Sequence, residues 1–202
     1  MDRHPARHLQ EVYAVVLGVA LVLSVEQVIH VGGEGSPFRG QLVLPFLAFV
    51  SLAFSIYHWG VTYLDRRYAD RRATSDSRSG VFVDLLVGTT ELLTLIGLSI
   101  LVSRPSTFAI GVVILLAFEV LAGLILGATG NYRRLGGFPR TYLWINLASV
   151  AALGLALLIL EMASEGAGDF ATGLVVFVAA VARTAVFYGL GFGVLFVEEG
   201  AG

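Results

Sequence analysis

The chain has 202 residues, 56% of them hydrophobic and 14% charged, with a mean hydropathy of +0.82 and a formal net charge of -2. A soluble domain carries about 25% charged residues, so this composition excludes an ordinary soluble domain, and no nucleic-acid partner is expected. There is no cysteine, which excludes disulfides, thiolate metal sites and cysteine nucleophiles, and all thirteen basic residues are arginine.

The chain opens on a polar, basic tail, MDRHPARHLQE. His4 and His8 have i, i+4 spacing there, but Pro5 stands between them, and the pair reads as a solvated tail, not a metal site. The apolar run at 9–31 is too long for a signal-peptide core and contains Glu26 and Gln27, so it reads as a retained spanning helix. Glu26, Gln27 and His30 fall at its far end and are expected to form an outer vestibule.

A second span at 42–64 ends close to His58 and Trp59. The loop after it, DRRYADRRATSDSRSG, carries Arg66, Arg67, Arg71, Arg72 and Arg78. It is expected to lie beside anionic headgroups, or alternatively to dock a cytoplasmic protein partner.

The third span, at 81–102, carries Asp84 and Glu91. Seven residues on a helix is nearly two turns, so both carboxylates share a stripe with Gly88 and Leu95, roughly 10 Å apart along the axis. Ionisable groups in a spanning helix cost about 3 kcal/mol or more each to insert, and they face other helices or water. The fourth span, 107–128, has Glu119 on one stripe with the Gly-x-x-x-Gly pair Gly123 and Gly127, a pattern that lets helices pack closely. The fifth, 141–161, holds Asn146 near Tyr142. The sixth, 170–197, holds Arg183 and the glycines 189, 191 and 193.

Residue counting puts Glu91, Glu119 and Arg183 near the membrane midplane, where an arginine requires a carboxylate or water partner. An ion pair between Arg183 and one or both glutamates is therefore expected. A second set, His58, Asp84 and Asn146, lies nearer the arginine-rich side. Antiparallel packing of the second and third spans would pair His58 with Asp84.

The expected fold is all-α: a polytopic membrane protein folded as a compact six-transmembrane-helix bundle, a single domain with short loops that make consecutive helices antiparallel neighbours. Ten arginines fall on one side and two on the other, so both termini are expected in the cytoplasm (N-in/C-in) of a prokaryotic plasma membrane. Every Tyr and Trp falls in the arginine-rich half or beyond it, as an interfacial aromatic belt would place them. Gly18, Val19, Leu23 and Glu26 match Gly111, Val112, Leu116 and Glu119 at a constant offset of 93, the pattern of an inverted repeat.

No catalytic motif is present, and neither an enzymatic activity nor a cofactor is expected. The six-span length and the His58-Trp59 pair are similar to those of the prokaryotic relatives of lysosomal potassium channels. That family's Phe-Ser-Asp filter motif is absent from the first span, which reads Val12-Tyr13-Ala14-Val15, so no residue roles carry over. The functional expectation is a small ion or proton-coupled channel or transporter using the midplane charges. A non-transporting membrane subunit or sensor and a lipid-modifying enzyme are the alternatives. The expected partners are the lipid bilayer and, as open options, further copies of the chain.

Overall fold

The computed structural model describes residues 5–31, 40–68, 78–129, 138–163 and 168–195. They form six helices: α1 (Pro5–Val31), α2 (Gly40–Tyr68), α3 (Arg78–Leu101), α4 (Pro105–Ala128), α5 (Phe138–Ala163) and α6 (Asp169–Leu195). At about 1.5 Å per residue each is at least as long as the roughly 30 Å hydrocarbon core of a bilayer. All six are apolar enough to cross one. Most of the tail bearing His4, and the loop positions Arg71 and Arg72, lie outside the described residues.

The helices form where the apolar runs lie, and local chemistry sets their ends. Pro105 opens α4 at the first turn, where its missing N–H costs nothing. The turn before it is tight: Arg104 N–H bonds Leu101 C=O at 2.8 Å, and Phe108 N–H bonds Arg104 C=O at 2.8 Å. This hairpin brings α3 and α4 so close that a methyl group at Gly111 would lie 2.7 Å from Leu98 Cδ2. At the far end of α4 the Thr129 hydroxyl donates to Ile125 C=O at 3.0 Å. Helix α2 begins before Pro45, so that proline lies inside the helix and leaves one carbonyl without its usual donor.

Four of the five consecutive pairs pack as neighbours as expected, α1–α2, α3–α4, α4–α5 and α5–α6, and the departure is at α2–α3. Helices α1 and α3 pack in parallel, tied by Tyr13 to Glu91 at one level and Ser103 to Gln27 at another. Helices α2 and α6 also pack in parallel, tied by Ser51 to Thr184 and His58 to Tyr188. Helices α2 and α3, consecutive in the chain, touch only slightly. Among the described residues, α1 makes no packing contact with α6 and α3 makes none with α5. Within each half the pairings correspond, α1 with α2 and α3, and α4 with α5 and α6, but the α2–α6 contact between the halves has no α3–α5 counterpart, so the bundle as a whole lacks the symmetry of an inverted repeat.

The core has two parts. Toward the end where α3 finishes and α4 begins it is mostly aliphatic, with Leu52, Ile56, Leu95, Leu98 and Leu115 buried around Phe49 and Phe108. Toward the arginine-rich end it is aromatic, built on Tyr13, Trp59, Tyr63, Tyr68, Tyr142 and Phe187. These rings point into the bundle, whereas Trp144 alone of the two tryptophans points out, at 65% exposure. The belt expectation thus fails for most of them. The outward faces are apolar, with Val22, Phe82, Leu93, Ile114, Leu158 and Met162 among the exposed side chains. Such a surface suits lipid and not water.

Candidate mid-membrane carboxyl site

The stripe Asp84, Gly88, Glu91, Leu95 faces the interior of the bundle, and each of its residues is buried. It meets Glu119, which α4 presents from across the bundle. The Glu91 and Glu119 carboxyls lie within hydrogen-bonding reach of each other. Each spends Oε2 on a tyrosine. Tyr13 Oη donates to Glu91 Oε2 at 2.5 Å, and Tyr142 Oη donates to Glu119 Oε2 at 2.8 Å. The remaining oxygens, Oε1 of both residues, are buried without a donor. A buried acceptor left unpaired costs about 1–3 kcal/mol.

Tyr13 reaches Glu91 because two glycines clear its path. A methyl group at Gly88 would lie 2.9 Å from Tyr13 Oη, and one at Gly60 would lie 3.0 Å from Tyr13 Cε1. The ring is therefore held between α2 and α3 at positions where any side chain would displace it. Tyr142 is held as firmly. Its ring stacks on Trp59 with centroids 4.3 Å apart and meets Phe187 edge-on at 5.7 Å.

Arg183 is buried on α6 but does not reach either carboxylate, contrary to expectation. Its Nε donates to Asn146 Oδ1 at 2.9 Å and its Nη1 to Ser55 Oγ at 2.6 Å. Its Nη2 donates to Tyr142 Oη at 3.3 Å. The reason is angular. Arg183 projects toward α2 and α5, and the Tyr142 hydroxyl stands between it and Glu119. The guanidinium is thus linked to the carboxyl pair through one phenol.

The second expected set separates. His58 bonds Tyr188 on α6. Asp84 accepts from Tyr63 Oη at 2.5 Å and Tyr68 Oη at 2.7 Å, with Arg67 Nε 3.5 Å away. Gly60 and Gly88 flank the same Tyr13 ring, so Asp84 is level with about residue 64 of α2 and His58 lies about 9 Å deeper along the axis, and residues 58 and 63 also differ by about 140° around α2. Asn146 joins Arg183 instead of either of them. The outer set separates too: Gln27 accepts from Ser103 at 3.0 Å, while Glu26 and His30 pair with each other on the outside at 3.5 Å. At the opposite end His8 pairs with Glu11 at 3.6 Å on the surface. Of the loop arginines, Arg67 is committed to Asp84; the side chain of Arg78 lies outside the described residues, although its backbone opens α3. Gly123 is buried, but Gly127 is exposed, so the two do not share one packed face.

A cavity of about 30 Å³ borders the carboxyl pair, enough for about two waters. Glu91, Glu119 and Tyr142 line its deep end, and Leu9, Leu64 and Asp84 line it toward the arginine-rich end. Sequence reasoning missed Tyr13 and Ser55, and it read Tyr142 as an interfacial ring. The available signals were the one-sided aromatics and the two glycines, 60 and 88, that make room for Tyr13. Comparison of the chain with protein-family models, with curated proteins and with solved structures gives no significant match.

Proposed function

We propose that this chain is a multi-pass membrane protein that carries protons across the bilayer, alone or coupled to a second solute, through Glu91 and Glu119. One observation carries the reading: two carboxyls meet in the middle of the bundle, each with a buried oxygen lacking a donor, beside a water-sized cavity. Groups that only lock helices together gain nothing from unmet hydrogen bonds, whereas a proton-carrying pair must gain and lose a donor. Intramembrane carboxylates of this kind recur in proton pathways. The arginine distribution supports an orientation with both termini on the cytoplasmic side.

The test is proton flux in liposomes containing a pH-sensitive dye, driven by an imposed potential. Parent protein should acidify the lumen faster than empty vesicles, and Glu91→Gln and Glu119→Gln should abolish the difference. Flux in the double variant equal to that of the parent overturns the reading.

A further inference from the structure

We propose that Glu91 and Glu119 act as a carboxylic acid–carboxylate dyad that holds one proton between their Oε1 atoms, and that in this conformation the proton exchanges with water only from the arginine-rich end, release to the opposite side requiring a second conformation. The inference deepens the proton-carrying reading and rests on the same site.

The hydrogen-bond inventory fixes the count of protons. An ionised carboxyl only accepts, so two ionised glutamates cannot satisfy each other. Both Oε2 atoms already accept from tyrosines. Both Oε1 atoms are buried and lack a donor, and the two carboxyls are in reach of each other. One proton, bonded to one Oε1 and donated to the other, satisfies both at once. Two carboxyl groups sharing one site behave in this way because both cannot ionise at such close range.

Charge gives the same count. The pair carries one negative charge when it holds one proton. Arg183 is the buried cation linked to it through Tyr142, and its own direct partners are all neutral. One positive charge and one shared negative charge leave the centre of the bundle neutral, as low-dielectric surroundings favour.

The packing gives the direction of access. From the dyad the cavity extends past Gly88 and Gly60 toward Asp84 and Leu9. On the other side Leu95, Leu98, Leu52, Ile56 and Leu115 are closed against one another. In this conformation a cavity hydronium therefore delivers a proton to the dyad as the shared proton leaves to a second cavity water on the same side, so the pair keeps one proton throughout.

Infrared spectroscopy of the reconstituted protein at neutral pH, where exposed carboxyls are ionised, tests this without any transport. The parent should show a protonated-carboxyl carbonyl band that shifts in deuterated water. Glu91→Gln and Glu119→Gln should each remove the whole band, because the new amide N–H supplies the donor that the proton supplied. Each variant's melting curve confirms that it folds, and either one alone suffices if the other does not fold. Ala122→Leu narrows the cavity one turn below Glu119. It should keep the band and slow its exchange at least tenfold. A parent without the band, a band of full strength in either folded glutamine variant, or unchanged exchange in a folded Ala122→Leu protein overturns the inference. A band that behaves as described in a protein without flux sustains the dyad and defeats the transport reading. Flux without the band does the reverse.

Discussion

Gly88→Ala isolates the fit of Tyr13 into the carboxyl site. The added methyl would stand 2.9 Å from Tyr13 Oη, about 0.5 Å inside the 3.4 Å at which ordinary contact begins. On its other flank the ring passes Gly60 so closely that a methyl group there would lie 3.0 Å from Cε1, which leaves it little room to yield. Overpacking of this kind costs about 1–3 kcal/mol, and loosening the bond to Glu91 adds about 1 kcal/mol. Alanine returns about 1 kcal/mol of helix propensity. The net expectation is a loss of about 1–3 kcal/mol, or roughly 2–12 °C in melting temperature for a chain of this size. Gly97 on the same helix is the control. Nine residues turn α3 by about 180°, so Gly97 faces outward, with nothing within 4 Å of an added methyl. Gly97→Ala should be neutral or stabilising. The assay is thermal unfolding in detergent, with both substitutions repeated in Tyr13→Phe. Without Oη the nearest ring atom is 3.3 Å from the methyl, so Gly88→Ala should cost clearly less in that background. Equal melting temperatures for the two alanine variants, or no relief from Tyr13→Phe, would refute the packing argument.

Tyr142→Phe should keep the stack on Trp59 but remove the donor to Glu119 and the acceptor for Arg183, lowering stability by about 1–3 kcal/mol; an unchanged melting temperature counts against that bridge. Asp84→Asn weakens the partner of Arg67, Tyr63 and Tyr68, with an expected loss of about 3–5 kcal/mol, whereas Asp169→Asn at the exposed Ser106 contact should change stability by less than about 0.5 kcal/mol; similar losses at both sites would mean that burial is not what matters. Reporter fusions after Gly202 and within the 166–168 loop should report opposite sides of the membrane, and the same side for both would defeat the six-crossing topology.

The parts of this protein legible in its sequence are those set by one helix at a time. Length and hydropathy gave all six spans, because crossing a bilayer is a requirement on each run separately. The stripe Asp84, Gly88, Glu91, Leu95 was legible because 3.6-residue periodicity is internal to α3. Depth was also legible, which is why Glu91, Glu119 and Arg183 fall in one neighbourhood. Rotation about each axis and order around the bundle were not. Residue counting gives His58 and Asp84 similar depths, yet Tyr63 and Tyr68, farther along α2, meet Asp84 while the deeper His58 turns to Tyr188 on α6. The tyrosines were misread for a related reason. A tyrosine near one end of a span suits the headgroup level and the bundle interior equally well until its hydroxyl has a partner. The meetings of α1 with α3, of α5 with α4, and of α2 with α3 and α6 supply those partners.

Hydrogen bonding divides the buried charges of this bundle into two kinds. Arg183 donates from Nε, Nη1 and Nη2 to side chains on α5 and α2, so it fixes where α6 sits between them. Asp84 accepts on both oxygens from α2, which fixes the meeting of α2 and α3 at the arginine-rich end. Both have the neighbours that a structural charge needs, and removing one side of either contact should register as lost stability. Glu91 and Glu119 are different. Their tyrosines orient them, but each retains an unsupplied oxygen next to a cavity. Evolution of a lock alone would favour replacing such a pair with apolar side chains of similar volume, since buried ionic groups are often matched or exceeded in stability by hydrophobic ones. The same framework that satisfies Arg183 with neutral ligands leaves its positive charge available to the glutamates through Tyr142. The structural charges therefore also set the electrostatic environment in which the unsatisfied pair works.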